Sequence, residues 1–361
     1  MRLVIDARML DHSGIGTYLS NILPGVLTHC GALRPLVLTL PGLLARARDM
    51  AGSRAETRSW GVRPLSPADV APPTGLQRDV LWWSPHFNLP LFASAPAVVT
   101  LHDLLPLSGG GPVSGGVHKR FAVRLWLRAI RRRARRVICI SAFTRDEAVR
   151  LGGIAPERTS IAHPGVDAAW SSARAAPAMS PSPYLLFVGL VKPHKNLLGL
   201  LRAFEMLMPE IAHRLVVVGR YTGIRDVDAA ALALARRLAP RVELVESLSQ
   251  DALCRLVAEA TALVQPSFHE GFGLPPLEAM AAGTPVIAAR AGALPEVCGD
   301  AAVYCDPHSA QDIANAIRQT VGDPSLREAM RQRGIERARD FTWAACADAT
   351  SEALLAAWDE R

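Results

Sequence analysis

Two glutamates stand eight positions apart in His269-Glu270-Gly271-Phe272-Gly273-Leu274-Pro275-Pro276-Leu277-Glu278. A glycine-rich turn lies between them, and the apolar run Ala262-Leu263-Val264-Gln265 reads as the strand before it. Pro275 and Pro276 suit the first turn of a helix, where an N–H is unpaired in any case. Gly283 suits its C′ end. The unpaired N–H groups at the start of that helix attract anions. Glu270 precedes the turn and Glu278 lies about one turn inside the helix. A ligand carrying a phosphate, a ribose and a sugar can touch all three parts. The plainer alternative makes Glu278 a solvated helix residue and Glu270 a partner of the helix dipole.

Lysine occurs only at 119, 192 and 195, among 40 lysines and arginines. Two of the three share one loop, after the apolar run Tyr184–Val188. Lysine is a compact point charge suited to a phosphate, whereas arginine is a planar fork. Surface solubility is the alternative for Lys195. Arg220, after Gly219, could add a second cation. Gly14 and Gly16 stand between the first strand and the first helix, where a plain turn is the common explanation. His102 and Asp103 end the run Ala97–Leu101, and a satisfied, partly buried histidine is the default there. Residues 117–136 hold nine lysines and arginines interleaved with Phe121, Val123, Leu125, Trp126, Leu127 and Ile130. Two readings stay open for this amphipathic helix: a solvated basic face, or contact with anionic lipid headgroups. No recognised nucleic-acid module accompanies the charge, so no nucleic-acid partner is assigned. Trp82 and Trp83 fit either a core or an acceptor site.

A 361-residue chain, half hydrophobic and a fifth charged, is globular and too long for one ordinary core. A net charge of +7 favours an anionic partner. No apolar run reaches the length of a membrane span, since Arg34, Pro35 and Pro41 interrupt the best candidate. The start shows no signal-peptide pattern. Six scattered cysteines lack metal-ligand spacing and suit reduced cytosolic thiols.

Strand-like and helical runs alternate, the pattern of parallel α/β sheets. Strands are expected near 2–6, 36–40, 97–101, 137–141 and 159–162, with a helix over about 16–28. Residues 41–80 resist assignment, and 108–116 reads as a mobile loop. The Ala-, Ser- and Pro-rich stretch 168–183 reads as a linker. Beyond it strands are expected at 184–188, 214–218, 241–245, 261–265, 285–288 and 302–304. Helices are expected at 196–208, 227–238, 249–259, 275–282, 309–320, 324–339 and 343–360. The organisation is therefore an N-terminal Rossmann-like domain (1–167), the linker, a second such domain (184–342) and a last helix (343–361).

The Glu270–Glu278 segment resembles the Glu-x7-Glu signature of family-4 retaining glycosyltransferases. Pro266-Ser267 before it fits the family. So do Ala281-Ala282-Gly283-Thr284-Pro285-Val286-Ile287-Ala288 and Leu294-Pro295-Glu296-Val297 after it. Phe187-Val188-Gly189-Leu190-Val191-Lys192-Pro193-His194-Lys195-Asn196, Gly14-Ile15-Gly16 and Thr100-Leu101-His102-Asp103 are similar to family motifs in order and spacing. The resemblance implies the GT-B fold: α/β, two Rossmann-like domains facing across a cleft, the last helix crossing back to the first. It implies that Glu278 binds the nucleotide ribose. It places Glu270 by the transferred sugar, and the Gly271-Phe272-Gly273-Leu274 backbone around sugar and phosphate. Gly189, Lys195 and His194, which replaces the family's arginine, would serve the departing diphosphate, with Arg220 compensating. Gly14 and Gly16 would approach the diphosphate from the other domain, and His102 would lie beside the donor sugar.

The implied activity is metal-independent, cofactor-free hexosyl transfer with front-face attack. His102-Asp103-Leu104-Leu105-Pro106 most resembles bacterial mannosyl- and rhamnosyltransferases of surface polysaccharide assembly. GDP-mannose is the first donor choice. The implied acceptor is a saccharide or lipid-linked saccharide at the cytoplasmic membrane face. The rivals are a UDP-sugar enzyme, including an epimerase, and a non-catalytic nucleotide-sugar-binding protein.

Overall fold

The computed structural model describes residues 2–360 except 77, 109–115, 174–181 and 225, with backbone alone at 106 and 116–122. The chain divides into two compact units. One takes Met1–Ser108, Gly116–Gly165 and Thr342–Arg361, and the other takes Val166–Phe341.

In the first unit the elements run β1 (Arg2–Asp6), α1 (Ile15–His29), β2 (Leu36–Thr39), α2 (Leu44–Ala51), β3 (Glu56–Ser59), β4 (Val80–Ser84) and β5 (Ala97–Leu101). They continue with α3 (Leu105–Ser108), α4 (Gly116–Arg133), β6 (Ala134–Cys139), α5 (Ala142–Arg150) and β7 (Thr159–Ile161). All seven strands are parallel, in the order β3-β2-β1-β4-β5-β6-β7. Leu3, Val4 and Ile5 are buried on both faces, the reason a parallel strand reads as an unbroken apolar run.

The second unit holds α6 (Ala168–Ala173), β8 (Tyr184–Val188), α7 (Leu197–Leu207), β9 (Arg214–Val218), α8 (Ala229–Arg237), β10 (Val242–Val245), α9 (Gln250–Glu259) and β11 (Ala262–Gln265). Then come α10 (Leu274–Ala282), β12 (Val286–Ala289), α11 (Leu294–Cys298), β13 (Ala302–Cys305), α12 (Ala310–Gly322) and α13 (Pro324–Ala338). Its six parallel strands run β10-β9-β8-β11-β12-β13. The order reverses between β8 and β11, and ligands of open parallel sheets sit at the C-terminal strand ends of such a switch point. The loops that leave β8 and β11 there are Gly189–Asn196 and Pro266–Gly273.

Helix α14 (Trp343–Asp359) returns to the first unit and packs along α1. A Cβ on Gly25 would come within 2.9 Å of the Ala347 Cβ, so this crossing requires a glycine.

Four sequence expectations change. Helix α2 and strand β3 occupy the stretch left unassigned, β4 begins at its end, and Trp82 and Trp83 are fully buried on β4. Trp83 donates to Thr100 Oγ1 at 3.2 Å and Trp82 meets Trp60 edge-on, which makes both core residues. The helix read through Arg136 stops at Arg133, and Arg135 and Arg136 belong to β6. The stretch read as a linker opens as α6, because alanine favours helix and Trp170 supplies a buried anchor against α9 and α10. The remainder of that linker at 174–181, and the loop at 109–115, lie outside the described residues. All six cysteines are buried free thiols.

Candidate active site

Asn196 locks the β8 loop. It adopts a left-handed conformation (φ 56°) as the N-cap of α7 and accepts from the Gly199 N–H at 3.2 Å. Its amide donates to the carbonyls of Pro266, 3.0 Å, and Pro307, 2.7 Å. One buried side chain thus ties the β8, β11 and β13 loops together. The β9 loop joins them closely: a Cβ on Gly219 would overlap the Gly189 carbonyl oxygen.

Lys195 leaves this loop and donates to both oxygens of Glu270, at 2.7 and 2.6 Å. The Ser267 hydroxyl donates to the same carboxylate at 2.8 Å and the Gln265 amide at 3.0 Å. Burial works against charge on Glu270. The Lys195 ammonium, with smaller help from His194 and Ser267, outweighs burial and holds the carboxyl below its usual range. The Glu270 backbone is gripped as well. Ala293 N–H donates to its carbonyl at 3.0 Å. A Cβ on Gly292 (φ 60°) would lie 2.6 Å from that oxygen, so both the conformation and the close approach require glycine.

The turn ends at Gly273 (φ 116°), the N-cap of α10. Pro275 and Pro276 carry no N–H, so the anion-attracting donors at this end reduce to those of the turn and Leu274. Among the described residues, neither Gly273 N–H nor Leu274 N–H donates to a backbone carbonyl. Glu278 sits one turn further on. Burial first, and then the nearby Asp167, push its pKa up to about 8. At neutral pH most of it is therefore the carboxylic acid. Arg220 is exposed at the end of β9, and its carbonyl accepts from Val191 N–H at 3.4 Å.

The second unit thus brings together Gly189, His194, Lys195, Glu270, Gly271, Phe272, Gly273 and Leu274 at its switch point, with Glu278 and Arg220 on adjoining elements. His102, Gly14 and Gly16 belong to the first unit. His102 follows β5, and its Nε2 lies 2.8 Å from the Pro85 carbonyl. A carbonyl only accepts, so Nε2 carries the proton and Nδ1 is left as the acceptor. Burial lowers the pKa of this imidazole, which keeps it neutral. Gly14 (φ 74°) starts α1, and a Cβ on Gly16 would lie 2.4 Å from the Leu10 carbonyl oxygen. Backbone geometry by itself therefore accounts for both glycines.

Four contributors carried no assigned role in the sequence analysis. Gln265 and Ser267 were detectable as polar residues ending an apolar strand, and Asn196 as a capping residue before an apolar helix. Gly292 gave no local signal.

Residues 171–337 match the family "Glycosyl transferases group 1", and residues 77–170 match "Glycosyltransferase Family 4". The chain is 31% identical to O-antigen chain mannosyltransferase B of Escherichia coli over 288 residues, 76% of this chain and 74% of the relative. This chain belongs to glycosyltransferase family 4. The family-4 chain is also 37% identical over 211 residues to a D-inositol 3-phosphate glycosyltransferase of Nocardioides, covering 52% of this chain but only 46% of that one. Anabaena HepE, solved in complex with UDP-glucose, superposes with a TM-score of 0.76 at 19% identity, covering 99% of this chain and all of HepE. The fold of this family-4 glycosyltransferase is GT-B. Among the described residues no helix is long and apolar enough to cross a membrane.

Proposed function

We propose that this glycosyltransferase moves a hexose, mannose from GDP-mannose as first choice, to a hydroxyl of a saccharide or lipid-linked saccharide with retention of anomeric configuration. The carrying observation is the Lys195–Glu270 pair at the start of α10. Lys195 has three N–H donors and spends two on Glu270. The third, with the α10 N-terminus, suits a diphosphate. Breaking the sugar C1–O bond leaves charge on that diphosphate, and a fixed cation stabilises it most at the transition state. Glu270, locked by Lys195, Ser267 and Gln265, accepts from the sugar hydroxyls. With no free nucleophile assigned, the acceptor oxygen attacks C1 from the leaving-group face and gives its proton to the departing phosphate. Glu278 holds the ribose and His102 offers Nδ1 to the sugar. Arg220 and His194 supplement Lys195, and Gly14 and Gly16 let backbone approach the diphosphate. This reading assigns no metal or cofactor and places the enzyme at the cytoplasmic membrane face in surface polysaccharide assembly.

The mannosyltransferase relative supports mannose. A second reading, a UDP-sugar donor, is favoured by the UDP-glucose held in HepE. A thermal-shift panel of GDP, UDP, GDP-mannose and UDP-glucose separates them, since a selective ligand raises apparent stability by mass action. A shift with the UDP pair alone sinks the GDP-mannose choice. The anomeric configuration of the product, read by NMR, tests retention.

A further inference from the structure

The arginines in and after α4 fall into two groups. Arg133 serves the fold: it donates to the Ala95 carbonyl at 2.9 Å and to that of Pro90. Arg135 donates to the Ala357 carbonyl at 2.7 Å, and Arg136 pairs with Glu360. Arg124, Arg128, Arg131 and Arg132 are different. All four are exposed, and among the described residues none makes a side-chain hydrogen bond or ion pair. Positions 124, 128 and 131 follow the i, i+4, i+7 spacing of one helix face. The inward side of the helix buries Val123, Trp126 and Ile130 against the sheet, with Leu127 buried at the edge between the two sides.

The arginine face is not purely polar. Arg124, Arg128 and Arg131 line a groove of about 560 Å3 together with Leu125, Leu127 and Leu151. Leu125 is 43% exposed at its lip. Among the described residues no carboxylate lines this groove. These residues occupy the last turns of α4, just before β6 begins, so they lie toward the N-terminal strand ends. The loops that hold Gly14, Gly16 and His102 leave the opposite, C-terminal strand ends.

We propose that this face docks on a membrane surface of anionic phospholipid, with phosphates on the guanidinium forks and Leu125 at the acyl boundary. Guanidinium matches phosphate in bidentate geometry. A basic helix face with an apolar residue among its cations suits the interface between headgroups and chains. The leucines favour lipid over nucleic acid, whose phosphate backbone offers an aliphatic side chain no partner. This assignment is independent of the donor reading.

Co-sedimentation of the full chain with vesicles tests it, using phosphatidylcholine alone and phosphatidylcholine mixed with phosphatidylglycerol. The parent should bind the mixed vesicles, release them as salt rises, and ignore phosphatidylcholine. The triple variant Arg124→Ser/Arg128→Ser/Arg131→Ser should lower binding to mixed vesicles about a hundredfold, since each surface cation contributes roughly a factor of five. Its nucleotide-induced thermal shift should match the parent's. If the triple variant fails to fold, Arg128→Glu takes its place, with at least a tenfold loss expected from charge reversal (about two cation equivalents). Equal binding of parent and variant, or no preference of the parent for anionic vesicles, overturns the proposal. Duplex DNA binding by the parent, lost in the variant and without any preference for phosphatidylglycerol, would assign the face to nucleic acid and overturn it too.

Discussion

Each sheet carries an ion cluster at its C-terminal strand ends, and the two clusters differ in how they are closed. In the first unit Asp6 ends β1, and Arg8 turns back to bond both its oxygens, at 2.8 and 2.5 Å. Arg8 also bonds Asp69 at 2.7 Å and the Val62 carbonyl at 2.8 Å, and its guanidinium lies 3.5 Å from the Trp60 ring centroid. Asn88 donates to Asp6 and Asp69. The Arg8 and Asp69 side chains have no exposed surface. In the second unit the Lys195 side chain keeps 18% of its surface, and the α10 N-terminus beside it offers donors. A buried ion pair is weak evidence for stability by itself, yet breaking one is expensive. The sealed cluster fastens the 61–70 segment to β1. The open one holds a carboxylate ionised while leaving part of its cation exposed to solvent.

The contrast breaks most visibly at Arg8. Arg8→Met leaves Asp6 and Asp69 buried without their cation and should destabilise the protein by about 3–5 kcal/mol. Urea unfolding checks this, and an unchanged midpoint would show the sealed cluster to be dispensable. Lys195→Ala should instead cut kcat/KM by about 10²–10³, comparable to loss of one strong electrostatic donor. Lys195→Arg should recover part of it, because a planar fork replaces a point charge. Full activity in Lys195→Ala would remove the open cluster from the chemistry.

Glu278, largely protonated near neutral pH, makes ordinary rather than charge-assisted hydrogen bonds, so Glu278→Ala should weaken nucleoside diphosphate binding by about 0.5–1.5 kcal/mol, measured by calorimetry. Equal affinity would refute the ribose role. The smallest effect concerns pH. Glu278 titrates at about 8 in the folded protein against an ordinary 4.5. The folded state therefore keeps a proton that the unfolded chain releases, and stability falls as pH rises between those values. Glu278→Gln should relieve this. Its melting temperature should gain on the parent's from pH 5 to pH 8 and level off above, by at least about 2 °C. Parallel melting curves at all pH values would mean that Asp167 and burial do not raise this carboxyl.

The second unit was nearly all legible in the sequence, because its strands and helices are separated by strong punctuation. Asn196, Pro266, Gly273 and Gly283 each mark a boundary with a backbone reason. The first unit was less so. Its β4 begins after a stretch rich in Pro, Gly and Ser that carries no periodicity, and β3 has a polar sequence, Glu-Thr-Arg-Ser, that only pairing with β2 makes a strand. Arg135 and Arg136 read as helix because charge follows the α4 pattern up to them, but pairing with β5 claims Arg136. In the site, motif residues announced themselves while their supports did not. Gly292 and Gln265 act through contacts with Glu270 that no local spacing encodes.

Helix α14 has a consequence for the order in which the protein is made. It supplies Cys346, Ala347, Thr350 and Leu354 to the interior of the first unit, against Tyr18 and Gly25 of α1. Those partners leave the ribosome more than three hundred residues before α14 does. The first unit to be synthesised is thus the last to be completed, and the second unit has its whole sequence available earlier. A fragment ending at Gly165 should expose the α1 face and bind a hydrophobic dye, and adding a peptide of residues 342–361 should quench that signal.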